Sequence, residues 1–327
     1  MNEHLKVAQM GLGPIGLECL KALAEAPWAQ VVGAVDIDPA KCGADLAVLI
    51  GQKALRGLRV CASPEELKQS PEIIFHTAVS RFKDAYEQLE ALARRGINVV
   101  SSCEELVFPS LRQPRLAQRL DALCRKTGAR VVGTGVNPGF VMDVLPVCLG
   151  GVVRDIRAIQ VERIVDASTR REPLQRKIGS GQPPAQFRRL LRSGRAGHAG
   201  LAESLALIAH ALNWKTVRIV ESANPVVAKR NIRTRYFSVI KGQTCGLHQR
   251  VVATTATGCR ILLDLKMYLG AENPRDIVRI KGNPPLDLVM QGGVAGDQAT
   301  VAALVNTARR LMKAPPGLAL LTDLPMA

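Results

Sequence analysis

The stretch from Leu5 to Asp36 constrains this chain more than any other. Leu5-Lys-Val-Ala-Gln-Met10 has the short apolar character of a buried strand, residues 14–26 carry a helical pattern that stops before Pro27, and residues 30–36 read as a second strand ending in Asp36. Between the first strand and the helix lies Gly11-Leu-Gly13-Pro-Ile-Gly16. Each glycine is needed for a separate physical reason. Gly11 permits a tight turn, Gly13 lets the backbone come close to a phosphate, and Gly16 lets the helix pack on the strand. Pro14 falls in the first helical turn, where its missing N–H costs little. The helix start offers unpaired N–H groups and a positive dipole end to an anion. This context predicts a dinucleotide-binding βαβ unit, with Gly11, Gly13, Pro14, Ile15 and Gly16 around a pyrophosphate. Asp36 would accept hydrogen bonds from the adenosine ribose and repel a 2′-phosphate. The cofactor is therefore NAD or NADP, with NAD favoured and Lys41 softening the preference.

The alternation continues. Strands are predicted at 72–76, 97–101 and 130–134, and helices near 39–50 and over 82–95 and 111–127. Strands alternating with helices imply a parallel sheet covered on both faces. Beyond about residue 136 the pattern changes to long Val-, Ile- and Thr-rich strands at 156–165, 216–228, 232–241, 245–256 and 259–268, with helices near 184–193 and 201–212. Such strands joined by short turns imply an antiparallel or mixed sheet. A last helix, near 297–313, follows Gly292-Gly293. The expected fold is α/β: a Rossmann dinucleotide-binding domain of residues 1–135 plus 295–327, and an α+β mixed-sheet domain of residues 136–294.

Bulk properties narrow the class. The 327 residues are 47% hydrophobic, enough for two cores. No apolar run reaches the roughly 20 residues of a membrane helix, and the first residues lack the sections of a signal peptide. The eight cysteines include no CxxC pair, which argues against a zinc site or a disulfide framework and for free thiols in the cytoplasm. No HExxH or Asp/His cluster suggests a metal. The net charge of +16 is spread out, without the basic, aromatic-interleaved runs of a nucleic-acid binder, and is read as solubility plus attraction of cofactor phosphates.

In open α/β sheets ligands sit off the carboxyl ends of strands. Two segments qualify: Ser101-Ser-Cys-Glu-Glu105 and Gly133-Thr-Gly-Val-Asn-Pro-Gly-Phe140. Glu104 and Glu105 are either a solvated or helix-start acidic pair, or a partly desolvated carboxyl able to move protons near neutral pH. Cys103 has no helper His recognisable beside it, which argues against a thiol nucleophile. The Asn137-Pro138 turn either lines a pocket or is a plain linker. His198, in a glycine-flanked loop, could bond a substrate or simply lie on the surface, and His76, with Thr77 and Ser80 just after it, is expected to abut the cofactor rather than perform chemistry.

At these residues the chain resembles the 2,4-diaminopentanoate dehydrogenase family, which includes native amine dehydrogenases and is related to dihydrodipicolinate reductase. The resemblance rests on Val99-Val-Ser-Ser-Cys-Glu-Glu-Leu106, Gly133 to Asp143, Asp166-Ala-Ser-Thr-Arg-Arg171, Pro173 to Gly179, Gly197-His-Ala-Gly-Leu-Ala-Glu-Ser204, Gly292 to Thr300, Ala314-Pro-Pro-Gly-Leu318 and Asp323-Leu-Pro325. It implies a substrate cleft between the domains, a homodimer formed through the mixed-sheet domain, and NAD(P)-dependent reductive amination of a small ketone with ammonia, with the reverse oxidative deamination. Nucleic acid and membrane are not expected partners. The resemblance carries the catalytic role to Glu104, with Glu105 its nearest competitor. Cys103, Asn137 and Pro138 join the cofactor-contacting set, and Glu105, Phe140, Val141, Arg163, Thr169, Arg170 and His198 form the substrate pocket. Either Arg163 or Arg170 could pair a substrate carboxylate, or be an outward salt-bridged arginine. Ser102, Phe108 and Ala199 depart from the family's Thr, Tyr and Val. The alternatives are a reductase of a cyclic imine or enamine, whose His-His pair is missing here, and a non-enzymatic nucleotide sensor.

Overall fold

The computed structural model describes residues 4–325. Met1 to Glu3, from which the sequence pattern runs straight into the first strand, lie outside them. Along the chain come β1 (Leu5–Met10), α1 (Pro14–Glu25), β2 (Ala29–Val35), α2 (Leu46–Ile50), β3 (Val60–Cys61), β4 (Ile73–His76), α3 (Phe82–Arg94), β5 (Asn98–Ser101), α4 (Pro114–Thr127), β6 (Arg130–Gly133) and α5 (Val144–Gly150). There follow β7 (Arg154–Asp166), α6 (Glu172–Lys177), α7 (Pro184–Arg192), α8 (Leu201–Ala211), β8 (Thr216–Val227), β9 (Ile232–Arg233), β10 (Ser238–Val239), β11 (Thr244–Thr255), β12 (Arg260–Tyr268), β13 (Arg275–Asn283), β14 (Leu286–Gln291), α9 (Gly296–Met312) and β15 (Gly317–Ala319). The chain forms two compact units. One runs up to Phe140 and resumes from Gly296; the other is Val141–Ala295.

The first unit is a Rossmann-like seven-stranded parallel sheet in the order β15-β6-β5-β4-β1-β2-β3. From β1 the chain winds outward through β2 and β3, then crosses back to β4 on the other side. The order therefore reverses between β1 and β4, the switch point where ligands bind in such sheets. Strands β4 and β5 are buried along their whole length, which is why they read as unbroken apolar runs rather than alternations. Helix α1 packs with α9 and α3 with α4.

The second unit is a mixed six-stranded sheet, β14-β13-β7-β12-β11-β8, parallel only between β7 and β12. Its strands alternate. Leu247, Gln249, Val251 and Ala253 of β11 and Ile261, Leu263, Leu265 and Met267 of β12 are buried. Helix α8, buried from Leu201 through Ala209, contacts β8, β11, β12 and α5; an all-round apolar helix needs cover on every side. The alternate positions carry charge: Lys266 and Arg275 meet Glu162 at 2.9 and 3.1 Å, and His248 meets Asp264 at 2.8 Å.

Three sequence expectations change. The helix expected over 39–50 is confined to Leu46–Ile50, because Asp38 turns the chain by accepting from Ala40 N–H and Asp45 caps the helix through Ala47 N–H. The strand expected over 232–241 is two two-residue strands paired with each other. The Thr234 hydroxyl accepts from the Tyr236 and Phe237 N–H groups and folds the segment back. The helix expected from 111 begins at Pro114. Strands β3, β13, β14 and β15 and helices α5 and α6 are not anticipated by the sequence pattern.

Candidate active site

The glycine loop sits at the switch point, and Gly11 and Gly16 in it are sterically required. A side chain on Gly16 would overlap the Gly11 carbonyl and the Thr77 hydroxyl, and Gly11 has φ +87° with the Thr77–Ala78 backbone against it. Beside Gly13 a Cβ would meet nothing within 4 Å, so its backbone faces open space. Helix α1 starts there with Pro14 at its head and no side-chain cap, leaving N–H groups for an anion. Thr77 donates its hydroxyl to the Gly11 carbonyl at 2.8 Å, and Gln9 Nε2 donates to the same carbonyl at 3.1 Å and to Thr77 at 2.9 Å. Thr77 thus shapes the loop.

Asp36 follows β2. Its Oδ2 accepts from Leu12 N–H at 2.6 Å and lies 3.3 Å from the Lys41 ammonium, while Oδ1 accepts from Asp38 N–H at 2.9 Å. Burial pushes its carboxyl up, but the two N–H groups and Lys41 outweigh it and hold it below the ordinary aspartate value. A carboxylate has about four acceptor positions, so Oδ1 keeps room for a ribose hydroxyl.

The turn after β5 is fastened from below. His76 is fully buried, its Nδ1 2.8 Å from Ser101 Oγ and its Nε2 2.8 Å from Gln88 Oε1. Desolvation keeps the ring neutral by lowering its pKa. With Nε2–H donating to Gln88, Nδ1 accepts from the Ser101 hydroxyl, which in turn accepts from Cys103 N–H at 3.1 Å. The His76 side chain therefore faces the interior, with both ring nitrogens engaged inside the fold. Cys103 has no exposed surface either, and burial, then the Glu104 charge, push its thiol far above the ordinary value.

Glu104 and Glu105 open a 3-10 turn, Glu104–Val107, in which successive side chains point about 120° apart. Glu105 Oε2 accepts from Phe82 N–H at 3.0 Å, capping the start of α3, and Glu105 N–H donates to the Ser80 carbonyl at 3.2 Å. Glu105 is thus tied to α3, and Glu104 projects from the same turn in another direction. The turn lies directly on the end of β6: a Cβ on Gly133 would stand 2.5 Å from the Leu106 carbonyl carbon. Glycine at 133 therefore brings the two segments together. Gly135 and Gly139 close the following loop against each other. In that loop both polar atoms of the Asn137 side chain are buried without a hydrogen-bond partner, an arrangement native proteins rarely leave unfilled. Pro138 is buried, whereas Phe140 is 43% exposed.

The second unit revises the pocket residues. Arg163 is buried with Asp276: Nη1 lies 2.6 Å from Asp276 Oδ2 and Nη2 donates to the Val294 carbonyl at 2.7 Å, while Val294 N–H donates back to Asp276 at 2.8 Å. Desolvation pushes the guanidinium pKa down and the carboxyl pKa up, each partner's charge opposing it. Arg163 is therefore not held ready for a substrate carboxylate, and Val141, with no exposed surface, is core. Thr169 is exposed and Arg170 half-buried. The His198 loop is clamped through its backbone by Gln249, which accepts from His198 N–H at 3.1 Å and donates to its carbonyl at 3.0 Å. Gln9, Gln88, Gln249 and Asp276 escape the sequence pattern. Of these only Gln9, a lone polar residue in an apolar strand beside the glycine loop, gives a readable signal.

A hollow of about 380 Å³ lined by Lys6, Glu72, Arg95 and Asn98 opens at the amino ends of β1, β4 and β5, the end of the sheet opposite the glycine loop. The chemistry belongs at the carboxyl ends. There the open backbone at Gly13, the uncapped α1, the Asp36 carboxylate and the orphaned Asn137 amide fit a dinucleotide.

Parallel sheet, glycine loop and acid-bearing turn together define an NAD(P)-dependent oxidoreductase. A family model described as the 2,4-diaminopentanoate dehydrogenase C-terminal domain matches residues 140–327, and the chain belongs to that family. It is 26% identical to the 2,4-diaminopentanoate dehydrogenase of Acetoanaerobium sticklandii, over 99% of this chain and 94% of that one. Identity to an amine dehydrogenase of Streptomyces virginiae is 23%, over 97% and 95%. The solved amine dehydrogenase of Mycobacterium smegmatis shares the fold, with a TM-score of 0.88, 24% identity and coverage of 98% and 96%.

Proposed function

We propose that this protein is an amine dehydrogenase that converts a small ketone and ammonia to the amine with NADH or NADPH, and runs the reverse oxidative deamination. The observation that carries this reading is the pair of acids opening the turn at the carboxyl end of β5 in a chain of the diaminopentanoate dehydrogenase family. Glu105 caps α3, and the family resemblance assigns the chemistry to Glu104. Relatives named as diaminopentanoate and amine dehydrogenases support it.

Ammonia at neutral pH is mostly ammonium, and only the free amine attacks a carbonyl. The Glu104 carboxylate holds the ammonium and takes its proton. It returns that proton to the departing hydroxyl of the carbinolamine, and its restored negative charge then stabilises the substrate iminium. The nicotinamide, when bound, supplies the hydride. Gly11, Gly13 and Gly16 with the α1 N-terminus hold the pyrophosphate, Asp36 the adenosine ribose, and the Asn137 amide offers one donor and one acceptor to the nicotinamide carboxamide. NAD is favoured over NADP because Asp36 stays ionised, with Lys41 moderating its charge. Phe140, Thr169, Arg170 and His198 are assigned as substrate contacts, with Arg170 rather than the Asp276-paired Arg163 the arginine on the side of a substrate carboxylate. We further assign a homodimer through the charged open face of the six-stranded sheet, and a cytoplasmic location.

The test is oxidation of NADH and NADPH over a panel of ketones with and without ammonium. Turnover should require ammonium, and Glu104→Gln should lower kcat by about 10²–10⁴-fold. Survival of the rate within a few-fold rules out this role for Glu104, and turnover of preformed cyclic imines alone redirects the reading to an imine reductase.

A further inference from the structure

Two cysteines contact the backbone of Asp36, Cys42 through its thiol and Cys61 through its carbonyl, with the Cys61 thiol 3.8 Å from the Arg59 carbonyl, and neither has a part in the chemistry above. Cys42 Sγ donates to the Asp36 carbonyl at 3.1 Å, and the Cys61 carbonyl accepts from Asp36 N–H at 3.0 Å. The segment after Asp36 doubles back along the outer edge of β3. Gly43 N–H donates to the Val60 carbonyl at 2.8 Å, Val60 N–H to the Ala44 carbonyl at 3.0 Å and Leu46 N–H to the Leu58 carbonyl at 2.8 Å, and Asp45 bridges Arg59 in the antiparallel sense. The Gly43–Val60 hydrogen bond brings the residues next to each, Cys42 and Cys61, to the same edge, where residues 41–43 form a turn rather than a strand. The Cys61 thiol is close enough to feel the charge of Cys42, and both residues are partly open to solvent. The buried thiols, Cys19, Cys103, Cys124 and Cys245, have no such access.

We propose that Cys42 and Cys61 are a dithiol modification site that reacts with a low-molecular-weight disulfide and closes into an intramolecular disulfide beside Asp36. One protein thiolate attacks a sulfur of the small disulfide and expels one thiolate. The second protein thiolate then attacks the resulting mixed disulfide and expels the other. The protein gives up two protons and two electrons, and the small disulfide becomes two thiols. The closed form removes the thiol donor from the Asp36 carbonyl and draws residues 36–43 to the edge of β3. It should therefore weaken dinucleotide binding; this second half rests on the cofactor reading above, while the first does not.

The experiment treats the full chain with oxidised glutathione at alkaline pH, chosen because burial holds the Cys61 thiol above its ordinary value, and maps peptides by mass spectrometry. We expect a Cys42–Cys61 linkage lighter by two hydrogens, lost in Cys42→Ser and in Cys61→Ser, and formed more slowly with NADH bound. NADH affinity, followed by its fluorescence without any turnover, should fall several-fold and return with a reducing thiol. Absence of the 42–61 linkage, or only glutathione adducts at scattered cysteines, overturns the site. A linkage that leaves NADH affinity unchanged overturns its coupling to the cofactor. NADH that fails to bind the untreated protein counts against the dehydrogenase reading, while the peptide map still decides the dithiol.

Discussion

In each unit a turn is tied to a sheet by buried side chains, but the ties differ in kind. The turn after β5 hangs on a neutral chain, from Gln88 through His76 and Ser101 to Cys103 N–H. The Gly292–Val294 turn is held by an ion pair, with Arg163 and Asp276 gripping both the carbonyl and the N–H of Val294. Both hydrogen bonds that Asp276 accepts land on its Oδ2, leaving Oδ1 buried without a partner among the described residues, and the two ties fail differently. A neutral chain stays intact until a proton is forced on it. An ion pair in a dry interior has already lost hydration on both sides, and is held by geometry and mutual attraction alone.

The sharpest way to break this contrast is to remove one charge. Arg163→Met leaves the Asp276 carboxylate buried beside an unfilled Val294 carbonyl and should cost about 3–5 kcal/mol of stability. Adding Asp276→Leu should recover much of that loss, because the desolvated charge goes with it. Denaturant unfolding of the single and double variants measures both. A single variant near wild-type stability would mean that water reaches the pair. Arg163→Met should also leave KM for an uncharged ketone nearly unchanged if it is measured below the unfolding temperature.

The neutral tie predicts a pH effect of smaller size. His76 has a folded-state pKa below the ordinary value of about 6.5, because burial excludes its charged form and neither Ser101 nor Gln88 carries a compensating charge. Above about pH 6.5 both folded and unfolded states hold the ring neutral, and its stabilisation is complete. As pH falls below that value the unfolded chain takes up the proton first. Stability then declines toward the folded-state pKa, with a slope for this group of at most about 1.4 kcal/mol per pH unit. Urea midpoints followed downward from neutral pH should show the decline, and His76→Gln should flatten it. An unchanged slope in that variant assigns the acid sensitivity elsewhere.

The two regions also differ in how far the sequence announces them. The cofactor end is written in glycines, Gly11 and Gly16 demanded by local backbone geometry and Gly13 facing open space, so Gly11, Gly13, Gly16 and Asp36 are legible from their spacing. Five strands of the parallel sheet, β1, β2, β4, β5 and β6, follow from the alternation of strands and helices, while the short edge strands β3 and β15 do not. The ties are not legible, because each joins residues far apart in the chain. Arg163 and Asp276 are 113 residues apart, and nothing local marks their registers across β7 and β13 as opposed. His76 and Cys103 look like cofactor contacts because they lie at strand ends on the correct edge of the sheet. Only the packing shows their polar atoms turned inward. The short strands β9 and β10 fail for a local reason, since Thr234 supplies a turn that a β-rich composition conceals.

The smallest effect separates the two adjacent glutamates. Glu105→Gln keeps an acceptor for Phe82 N–H but removes the negative charge from the start of α3, a change of about 0.3–1 kcal/mol in stability. Its kcat should stay within a few-fold of wild type, because its carbonyl oxygen can still fasten the turn. Glu104→Gln should instead bring a large loss of rate. Steady-state kinetics on the same two preparations, with thermal unfolding to measure the stability change, show a difference in rate that a merely structural acid pair cannot produce. If instead Glu105→Gln loses the rate and Glu104→Gln keeps it, the carboxylate on α3 is the working one, and the hydrogen bond to Phe82 must open during turnover.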